Sequence, residues 1–318
     1  LRKVNYLVLM GNQTSQSELI LLGLSDLRYS QIPVFLLIFL IYVATLAGNL
    51  LIISLVVSDS HLHTPMYFFL GNLSVLDIFN SSTSVLHVSF DIFTGNRLIS
   101  YPTCISQVFF FSWFCSTECF ILDIMSYDRY VAICHPLHYT SIMRLPLCVQ
   151  VAFLFWVLSF ACSLLHTLYA LRLAFPDPTT IPSLFCELYQ LFQLSSSDTF
   201  LNYFLIYFQA ACFSVPGFLI TSLSYVYIFK TILKITMKDG RRKAYSTCTS
   251  HLTVVFIFYG TVFFNYFQPK TTIFQAGRWL AVFYTVVTPL LNPIIYSLRN
   301  RDLIGALQKT LSRIDSRS

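Results

Sequence analysis

Charged residues are scarce in this sequence. Asp, Glu, Lys and Arg make up only 11% of the 318 residues, whereas 56% are hydrophobic and the mean hydropathy is +0.67. Soluble domains carry about a quarter charged residues, and a disordered chain needs high charge together with low hydrophobicity. The composition therefore excludes a soluble enzyme and a disordered protein, and it indicates one bundle embedded in a membrane.

Cysteines and enzyme motifs are also few. Nine cysteines fall well below the density of a disulfide scaffold. The sequence contains no His-Glu-x-x-His metal motif and no Gly-x-Ser-x-Gly nucleophile turn, which are signatures of metalloproteases and hydrolases. It also lacks the inverted repeats and charged pore rings that are typical of transporters and channels. We therefore expect no enzymatic activity, and a membrane transporter is kept only as an alternative.

Seven long runs with few or no charges locate the bundle. An apolar helix needs about 20 residues to cross the hydrocarbon core, and these runs do not alternate apolar with polar residues as barrel strands do. They cover residues 29–58, 64–86, 98–127, 145–165, 199–229, 244–269 and 279–298. The expected fold is therefore an all-α membrane protein, with a seven-transmembrane helix bundle over residues 29–299.

Two terminal segments flank the predicted bundle. Residues 1–28 form the first and contain the sequon Asn12-Gln13-Thr14, which predicts glycosylation on the lumenal side, although such triplets also occur by chance. In the second, residues 300–318, basic and apolar residues alternate as far as Arg313. This pattern predicts a short amphipathic helix on the inner leaflet, followed by a tail. A positively charged stop-transfer flank is a compatible alternative.

The basic residues divide unequally between the two sides of the bundle. Thirteen of the 20 Lys and Arg residues lie on the side that holds the C-terminus, and basic loops stay in the cytoplasm. This distribution predicts an extracellular N-terminus and a cytoplasmic C-terminus. The net charge of +6 is then an orientation signal, so no nucleic-acid partner is expected.

The end of the third run carries the tripeptide Asp128-Arg129-Tyr130. The stretch around it, MSYDRYVAICHPLHY at 125–139, closely resembles the span-three signature of the olfactory receptors, which belong to the rhodopsin-like G-protein-coupled receptors. Spans one, two, six and seven carry further stretches that resemble this family. They are GN at 48–49, HTPMYFFL at 63–70, LSVLD at 73–77, KAYSTCTSH at 243–251, FYG at 258–260 and PLLNPIIYSLRN at 289–300. The set resembles the class II branch of the family and extends along nearly the whole chain.

The resemblance implies an odorant receptor of the plasma membrane, with the lipid bilayer as its surroundings. Such a receptor binds a small volatile ligand inside the helix bundle. It then activates a stimulatory, olfactory-type heterotrimeric G protein, which raises cyclic AMP. A G-protein-coupled receptor for a small molecule that is not an odorant is the alternative.

The resemblance also implies a switch at the cytoplasmic end of the bundle. There, Asp128 and Arg129 would form a latch in the resting state, and Arg129 would turn toward the G protein on activation. The residues assigned to this switch are Asp128, Arg129, Tyr130, Tyr225, Asn292, Pro293 and Tyr296. The alternative is that Arg129 and Tyr296 only anchor helix ends at the membrane surface.

Three acids lie inside the predicted spans, where an ionisable side chain is costly and needs a partner. By resemblance, Asp77 and Glu118 belong to a polar core with Asn49 and Asn292 that can bind a sodium ion. Two protonated carboxyl groups, hydrogen-bonded to serines such as Ser74, are the alternative. No other cofactor is expected.

Asp123 is the third of these acids, and an acid at its position is not typical of the family. Its side chain is expected either to face the interior of the bundle or to pair with a histidine. The sequence does not decide between the two.

The cysteines include one pair with an implied bond. Cys104 and Cys186 match the pair that forms a disulfide in this receptor class, and the extracellular side is oxidising. Cys115 and Cys119 lie four residues apart, a spacing that suits metal ligation. However, Ser183 stands where the family's proposed metal pattern has a histidine, so no metal site is expected.

The ligand cavity is expected between spans three, five and six. Small-molecule pockets are mostly apolar with a few polar groups, and helical spacing places suitable side chains on one face of spans three and six. By resemblance, the lining residues are Val108, Phe111, Ser112, Cys115, Ser116, Ile206, Ala210, Tyr259, Val262, Phe263 and Tyr266. Any one of them can instead be packing between helices.

The expected ligand is volatile and largely apolar. Its single hydrogen-bonding group would meet Ser112, Ser116 or Tyr266. Glu118 and Asp123 are expected to lie too deep to pair with an amine.

Overall fold

The computed structural model describes residues 18–21, 31–94, 98–176, 179–181, 183, 185–234, 236–266, 283–299 and 301–315. Within these residues, helices lie at all seven predicted spans. Their bounds are Gln31–Ser58 for span one, Pro65–Thr94 for span two, Tyr101–Cys134 for span three, Leu145–Ala170 for span four, Phe200–Lys234 for span five, Lys238–Tyr266 for span six and, for span seven, Phe283–Val287 continued by Thr288–Arg299. The predicted all-α bundle is confirmed, whereas the predicted glycosylation at Asn12 falls outside the described residues.

Length and composition agree with a membrane location. In the described part of the chain, spans one, three, four and five are each long and apolar enough to cross a membrane, and the shorter apolar segments Cys248–Phe263 and Phe283–Tyr296 lie in spans six and seven. Large apolar side chains face outward, such as Leu40, Phe153 and Phe256, which are 65%, 70% and 77% exposed. Lipid tails are as apolar as these side chains, so nothing drives such residues into the bundle.

Span three is the central helix. Ser100 Oγ accepts a hydrogen bond from the Thr103 N–H at 3.3 Å, and Pro102 lies in the first turn; both features favour a helix start. From there the helix packs against spans two, four and five. Its Ile121 is fully buried and belongs to the same apolar core as Phe69 of span two.

A small sheet covers the end of the bundle at which span three begins. Its strands are Glu18–Leu21, Leu98–Ser100 and Thr180–Ile181. The first strand lies in the middle, antiparallel to the second and parallel to the third. Leu19 and Leu21 are buried against the helices below. We call this end of the bundle the Cys104 end and the opposite end the Arg129 end.

The disulfide implied by the family resemblance is present at the Cys104 end. Cys104 of span three is bonded to Cys186, with their Cα atoms 5.4 Å apart, and both residues are fully buried. The Cys186 N–H also donates to Gln107 Oε1 at 2.9 Å, and Gln107 Nε2 donates to the Thr83 carbonyl at 3.3 Å. The segment around Cys186 is therefore tied to spans two and three.

The predicted amphipathic helix is confirmed as the helix Arg301–Asp315, which packs near spans one and seven at the Arg129 end. Its Leu303 is buried in the main core. Lys309 Nζ lies 3.4 Å from Asp59 Oδ2, just after span one. The backbone N–H of His61 is the main cause that lowers the pKa of Asp59 to about 2, so Asp59 is ionised beside Lys309 at neutral pH.

We predict that Leu19→Ala lowers the free energy of unfolding by about 2–5 kcal/mol, the usual cost of such a cavity, because the Leu19 side chain is fully buried under the sheet. Leu98→Ala is the matched control, since Leu98 is 44% exposed in the neighbouring strand. Thermal unfolding of the detergent-purified protein measures both variants. Equal losses would contradict the packing described here.

Candidate functional site

The polar core expected around Asp77 lies in the middle of the bundle. The Asp77 residue is 1% exposed, and Asn292 Nδ2 of span seven donates to both of its carboxyl oxygens at 3.0 Å. Burying a carboxyl group is costly unless it is hydrogen-bonded. This contact therefore fixes span seven against span two.

Two prolines explain why span one carries Gly48 and Asn49. Pro293 has no N–H, so the Pro289 carbonyl, four residues earlier, loses its usual helical donor. Asn49 Nδ2 donates to that carbonyl at 3.2 Å. Gly48 permits the close approach, because a Cβ atom there would lie 3.0 Å from Pro293 Cβ. These contacts hold span one against span seven.

Glu118 bonds to a different amide, since Asn80 Nδ2 of span two donates to Glu118 Oε2 at 3.4 Å. Around this core, four buried oxygens have no hydrogen-bond partner in the described part of the chain. They are Asn49 Oδ1, Asn80 Oδ1, Glu118 Oε1 and Asn292 Oδ1. Buried hydrogen-bond acceptors nearly always have a partner. Oxygen atoms are also the ligands that hard cations prefer. The residues therefore fit a sodium ion.

A cavity of about 50 Å³ lies next to Glu118, between spans two, three, six and seven. Its lining residues are Asn80, Phe111, Cys115, Glu118, Phe258, Thr261, Val262, Tyr284 and Thr288. Phe111, Cys115 and Val262, which were expected at the ligand site, line this cavity. Glu118 also lines the cavity, although it was expected to lie too deep to pair with an amine. It follows Cys115 by three residues and therefore shares its helix face.

Other residues expected at the ligand site belong to the packing of the Cys104 end. Val108 is fully buried and Ile206 is 8% exposed, and both pack in the apolar cluster beneath the sheet. Ser112, which the structure describes as partly buried, is not among the residues that line the cavity. These three residues therefore lie outside the described cavity lining.

A polar chain that the sequence did not reveal links spans three, four and five. His166 Nε2 of span four is hydrogen-bonded to Gln209 Oε1, and Gln209 Nε2 donates to Ser116 Oγ at 3.4 Å. Ser116 was expected to meet the ligand, and it instead accepts this bond. The neighbouring Ala210 begins a π-helical turn of span five and lies outside the described cavity lining.

Span six turns a different face to the cavity from the one that its pattern predicts. The lining residues of this span are Phe258, Thr261 and Val262, whereas the predicted face is centred on Tyr259. Successive residues of a helix are rotated by about 100°, so the two faces differ by one position. Phe263 is 63% exposed and faces away from the bundle, so its predicted role is wrong. The Tyr266 side chain falls outside the described part of the chain.

Asp123 faces the interior, which answers the question that the sequence left open. Its Oδ1 accepts hydrogen bonds from the Tyr259 hydroxyl at 2.8 Å and from Thr221 Oγ1 at 3.0 Å. A Cβ atom on Gly217 would lie 1.9 Å from Asp123 Oδ2, so only glycine fits there. Tyr259, expected at the ligand site, uses its hydroxyl here and also lies 3.3 Å from Cys119 Sγ.

At the Arg129 end, Asp128 is bonded to a loop tyrosine. The Tyr139 hydroxyl donates to Asp128 Oδ1 at 2.8 Å. The structure describes both Asp128 and Arg129 but contains no ion pair between them, which corrects the expected latch. Adjacent side chains on a helix point in different directions, in agreement with the absence of this ion pair. Burial and the Asp128 charge raise the pKa of Tyr139, so its hydroxyl remains a donor.

Arg129 is 9% exposed and interacts electrostatically with a cluster of buried rings. Tyr225 Oη lies 2.6 Å from His251 Nδ1, and the two rings stack with centroids 5.9 Å apart. The Tyr296 ring lies 6.4 Å from the His251 ring. The predicted switch residues Tyr225 and Tyr296 therefore meet at His251. Its role was missed, although the run 244–269 contains no other histidine and no Asp, Glu, Lys or Arg.

Tyr130, the last member of the Asp128-Arg129-Tyr130 motif, points to the second loop at this end. Its hydroxyl lies 3.1 Å from His135 Nε2, and its ring packs against the Tyr227 ring of span five at 6.1 Å. The motif therefore contacts the loop and span five at the same time.

Comparison with known proteins identifies the family. Residues 38–314 match the family model described as olfactory receptor. The chain is 48% identical to human (Homo sapiens) olfactory receptor 1J2 over 95% of this chain and 97% of that protein. It is 47% identical to human olfactory receptor 7C1 over 95% of each chain, and 46% identical to rat (Rattus norvegicus) olfactory receptor 1f45 over 95% of this chain and 96% of that one. The protein is thus a multi-pass receptor of the plasma membrane and not an enzyme, and the chain belongs to the olfactory receptor family of G-protein-coupled receptors.

Proposed function

We propose that a small volatile odorant binds in the cavity beside Glu118 and shifts the bundle to a state that activates a stimulatory, olfactory-type G protein, raising cyclic AMP. The cavity is the observation that carries this proposal. Apolar walls with a few polar groups are what a small-molecule site needs, and Phe111, Phe258 and Val262 supply such walls.

The polar groups of the cavity favour a ligand with a hydrogen-bond donor. Thr261 Oγ1 donates to the Phe258 carbonyl at 2.8 Å, and Thr288 Oγ1 donates to the Phe283 carbonyl at 3.4 Å. Both hydroxyl oxygens are therefore left as acceptors. An apolar alcohol suits this arrangement better than the matching ketone.

The cavity has to widen before it can hold an odorant. Its volume of about 50 Å³ is well below the roughly 300–1,000 Å³ that is usual for ligand pockets. A ligand that fits only the widened form shifts the population toward that form. Span six supplies one wall through Phe258 and Val262 and also carries His251 near Arg129. Outward movement of span six would thus connect the cavity to the Arg129 end.

The orientation proposed is extracellular at the Cys104 end and cytoplasmic at the Arg129 end. A disulfide forms in the oxidising exterior, which supports an extracellular position for Cys104 and Cys186. The basic loop at residues 230–243 and the helix Arg301–Asp315 lie at the other end, in agreement with the positive-inside rule. The G protein would then meet Arg129.

The test is an odorant panel on transfected cells with cyclic AMP as the readout. The panel includes pairs of alcohol and ketone with the same carbon skeleton. Arg129→Ala is the control, since it keeps the cavity and removes the proposed G-protein contact. Surface expression without a response to any odorant would contradict the proposal, and a G-protein response without cyclic AMP would contradict its choice of G protein.

We predict that Phe111→Ala and Val262→Ala raise the half-maximal odorant concentration about tenfold or more, because each lost apolar contact in a pocket is worth about 1–3 kcal/mol. Phe263→Ala is the matched control on span six, since Phe263 faces outward. Dose–response curves at equal surface expression measure all three variants. A larger shift for Phe263→Ala than for the other two would contradict the cavity as the ligand site.

We further propose that Asp77 and Glu118 hold a sodium ion with Asn49 and Asn292. The ion would neutralise the buried carboxyl charge and satisfy oxygens that have no partner among the described residues.

Replacing choline with sodium should then raise the melting temperature, by about 2–4 °C for each kcal/mol of binding linkage. Asp77→Asn should abolish the sodium effect. A shift of the same size in Asp77→Asn would contradict the site.

A further inference from the structure

Resting on the proposed function, we propose that Asp123 is a positioning residue that holds span six against spans three and five in the resting state. It does so through the Tyr259 hydroxyl. Loss of this contact would raise signalling in the absence of an odorant.

One oxygen atom of Asp123 joins three helices. Asp123 Oδ1 of span three accepts from the Tyr259 hydroxyl of span six at 2.8 Å and from Thr221 Oγ1 of span five at 3.0 Å. Thr221 is 2% exposed, so no outside donor replaces it. Hydrogen bonds strengthen in a low-dielectric interior. These two hydrogen bonds therefore fix the positions of spans five and six relative to span three.

Span five is shaped to receive this carboxyl group. Gly217 faces Asp123, and a Cβ atom at Gly217 would lie 1.9 Å from Asp123 Oδ2 and 2.8 Å from its carboxyl carbon. Any residue with a Cβ atom at this position would therefore displace Asp123. Phe218, the next residue, packs edge-on against the Tyr259 ring with centroids 5.3 Å apart. Gly217 and Phe218 of span five thus fit the two partners of the hydrogen bond, one packing against the carboxyl group and the other against the tyrosine ring.

The contact lies between the two ends of the proposed signal path. Tyr259 is three residues before the cavity residue Val262 and eight residues after His251, which is bonded to Tyr225 near Arg129. A movement of span six that widens the cavity also draws the Tyr259 hydroxyl away from Asp123. The bond therefore opposes the active state and is broken in it.

The test measures cyclic AMP without odorant, normalised to surface expression. Asp123→Ala and Tyr259→Phe should each raise the basal signal about twofold to tenfold, the factor that corresponds to one hydrogen bond. Asp123→Asn keeps an oxygen acceptor and should restore most of the low basal signal. An increase with Asp123→Asn as large as with Asp123→Ala would overturn the proposal.

Gly217→Ala separates the proposed contact from general damage to span five. It should raise the basal signal in the wild-type background, because the new Cβ displaces Asp123. It should have no further effect in the Asp123→Ala background, where the carboxyl group is missing. Gly71→Ala is the matched glycine control, since its Cβ would meet only Val56 Cγ1, at 3.9 Å. Equal effects of Gly217→Ala in both backgrounds would contradict the contact between Gly217 and the Asp123 carboxyl group.

A stability measurement keeps the inference separate from the proposed function. The melting temperatures of Asp123→Ala, Tyr259→Phe and the double variant need no G protein. The loss in the double variant should be smaller than the sum of the two single losses, because both single changes remove the Asp123–Tyr259 bond. Additive losses would overturn the contact. If the losses in melting temperature are less than additive but no variant gives a cyclic AMP signal, the contact is upheld and only the proposed function is overturned.

Discussion

A polar group inside this bundle cannot be satisfied by the surrounding lipid, so it depends on partners within the bundle. The clearest consequence is the contact between spans one and seven. Pro293 deprives the Pro289 carbonyl of its helical donor, Asn49 supplies the missing N–H, and Gly48 leaves room for the proline ring. The hydrogen bond that is missing within span seven is thereby replaced by one that attaches span one to it.

The same constraint explains how the middle of the bundle is assembled. Asn292 bonds to both oxygens of Asp77, and Asn80 bonds to Glu118. Apolar packing in lipid has no preferred partner, since lipid tails satisfy apolar side chains equally well. Polar contacts of this kind are directional, so they determine which helix faces meet. The disulfide between Cys104 and Cys186 has the corresponding role at the Cys104 end.

The sequence predicts much of this architecture but only part of the site. Runs with few or no charges predict all seven spans, since the length and the apolar composition of a run decide whether it can cross the membrane as a helix. The sheet was missed because its central strand, Glu18–Leu21, has four residues and gains its partners from distant loops. The cavity face of span six was displaced by one residue because periodicity fixes spacing along a helix and leaves its rotation open. Phe263 and Phe258 cannot be distinguished by such a pattern.

Polar residues that depend on a distant partner were the hardest to interpret. Asp123 had no evident role, because Gly217, Thr221 and Tyr259 lie on two other helices. The same holds for His251, whose partner Tyr225 is on span five.

Span six is held to its neighbours by contacts of a particular kind. Asp123 accepts from Tyr259, and Tyr225 meets His251, so both contacts run through a tyrosine hydroxyl. A hydroxyl at the end of a long ring can leave one partner and find another after a small rotation, whereas an amide that bonds both oxygens of a carboxyl group cannot. Spans two and seven are joined in the second way, and span one is attached to span seven by an amide that bonds a backbone carbonyl. The chemistry of these contacts therefore makes a displacement of span six easier than a displacement of span two against span seven.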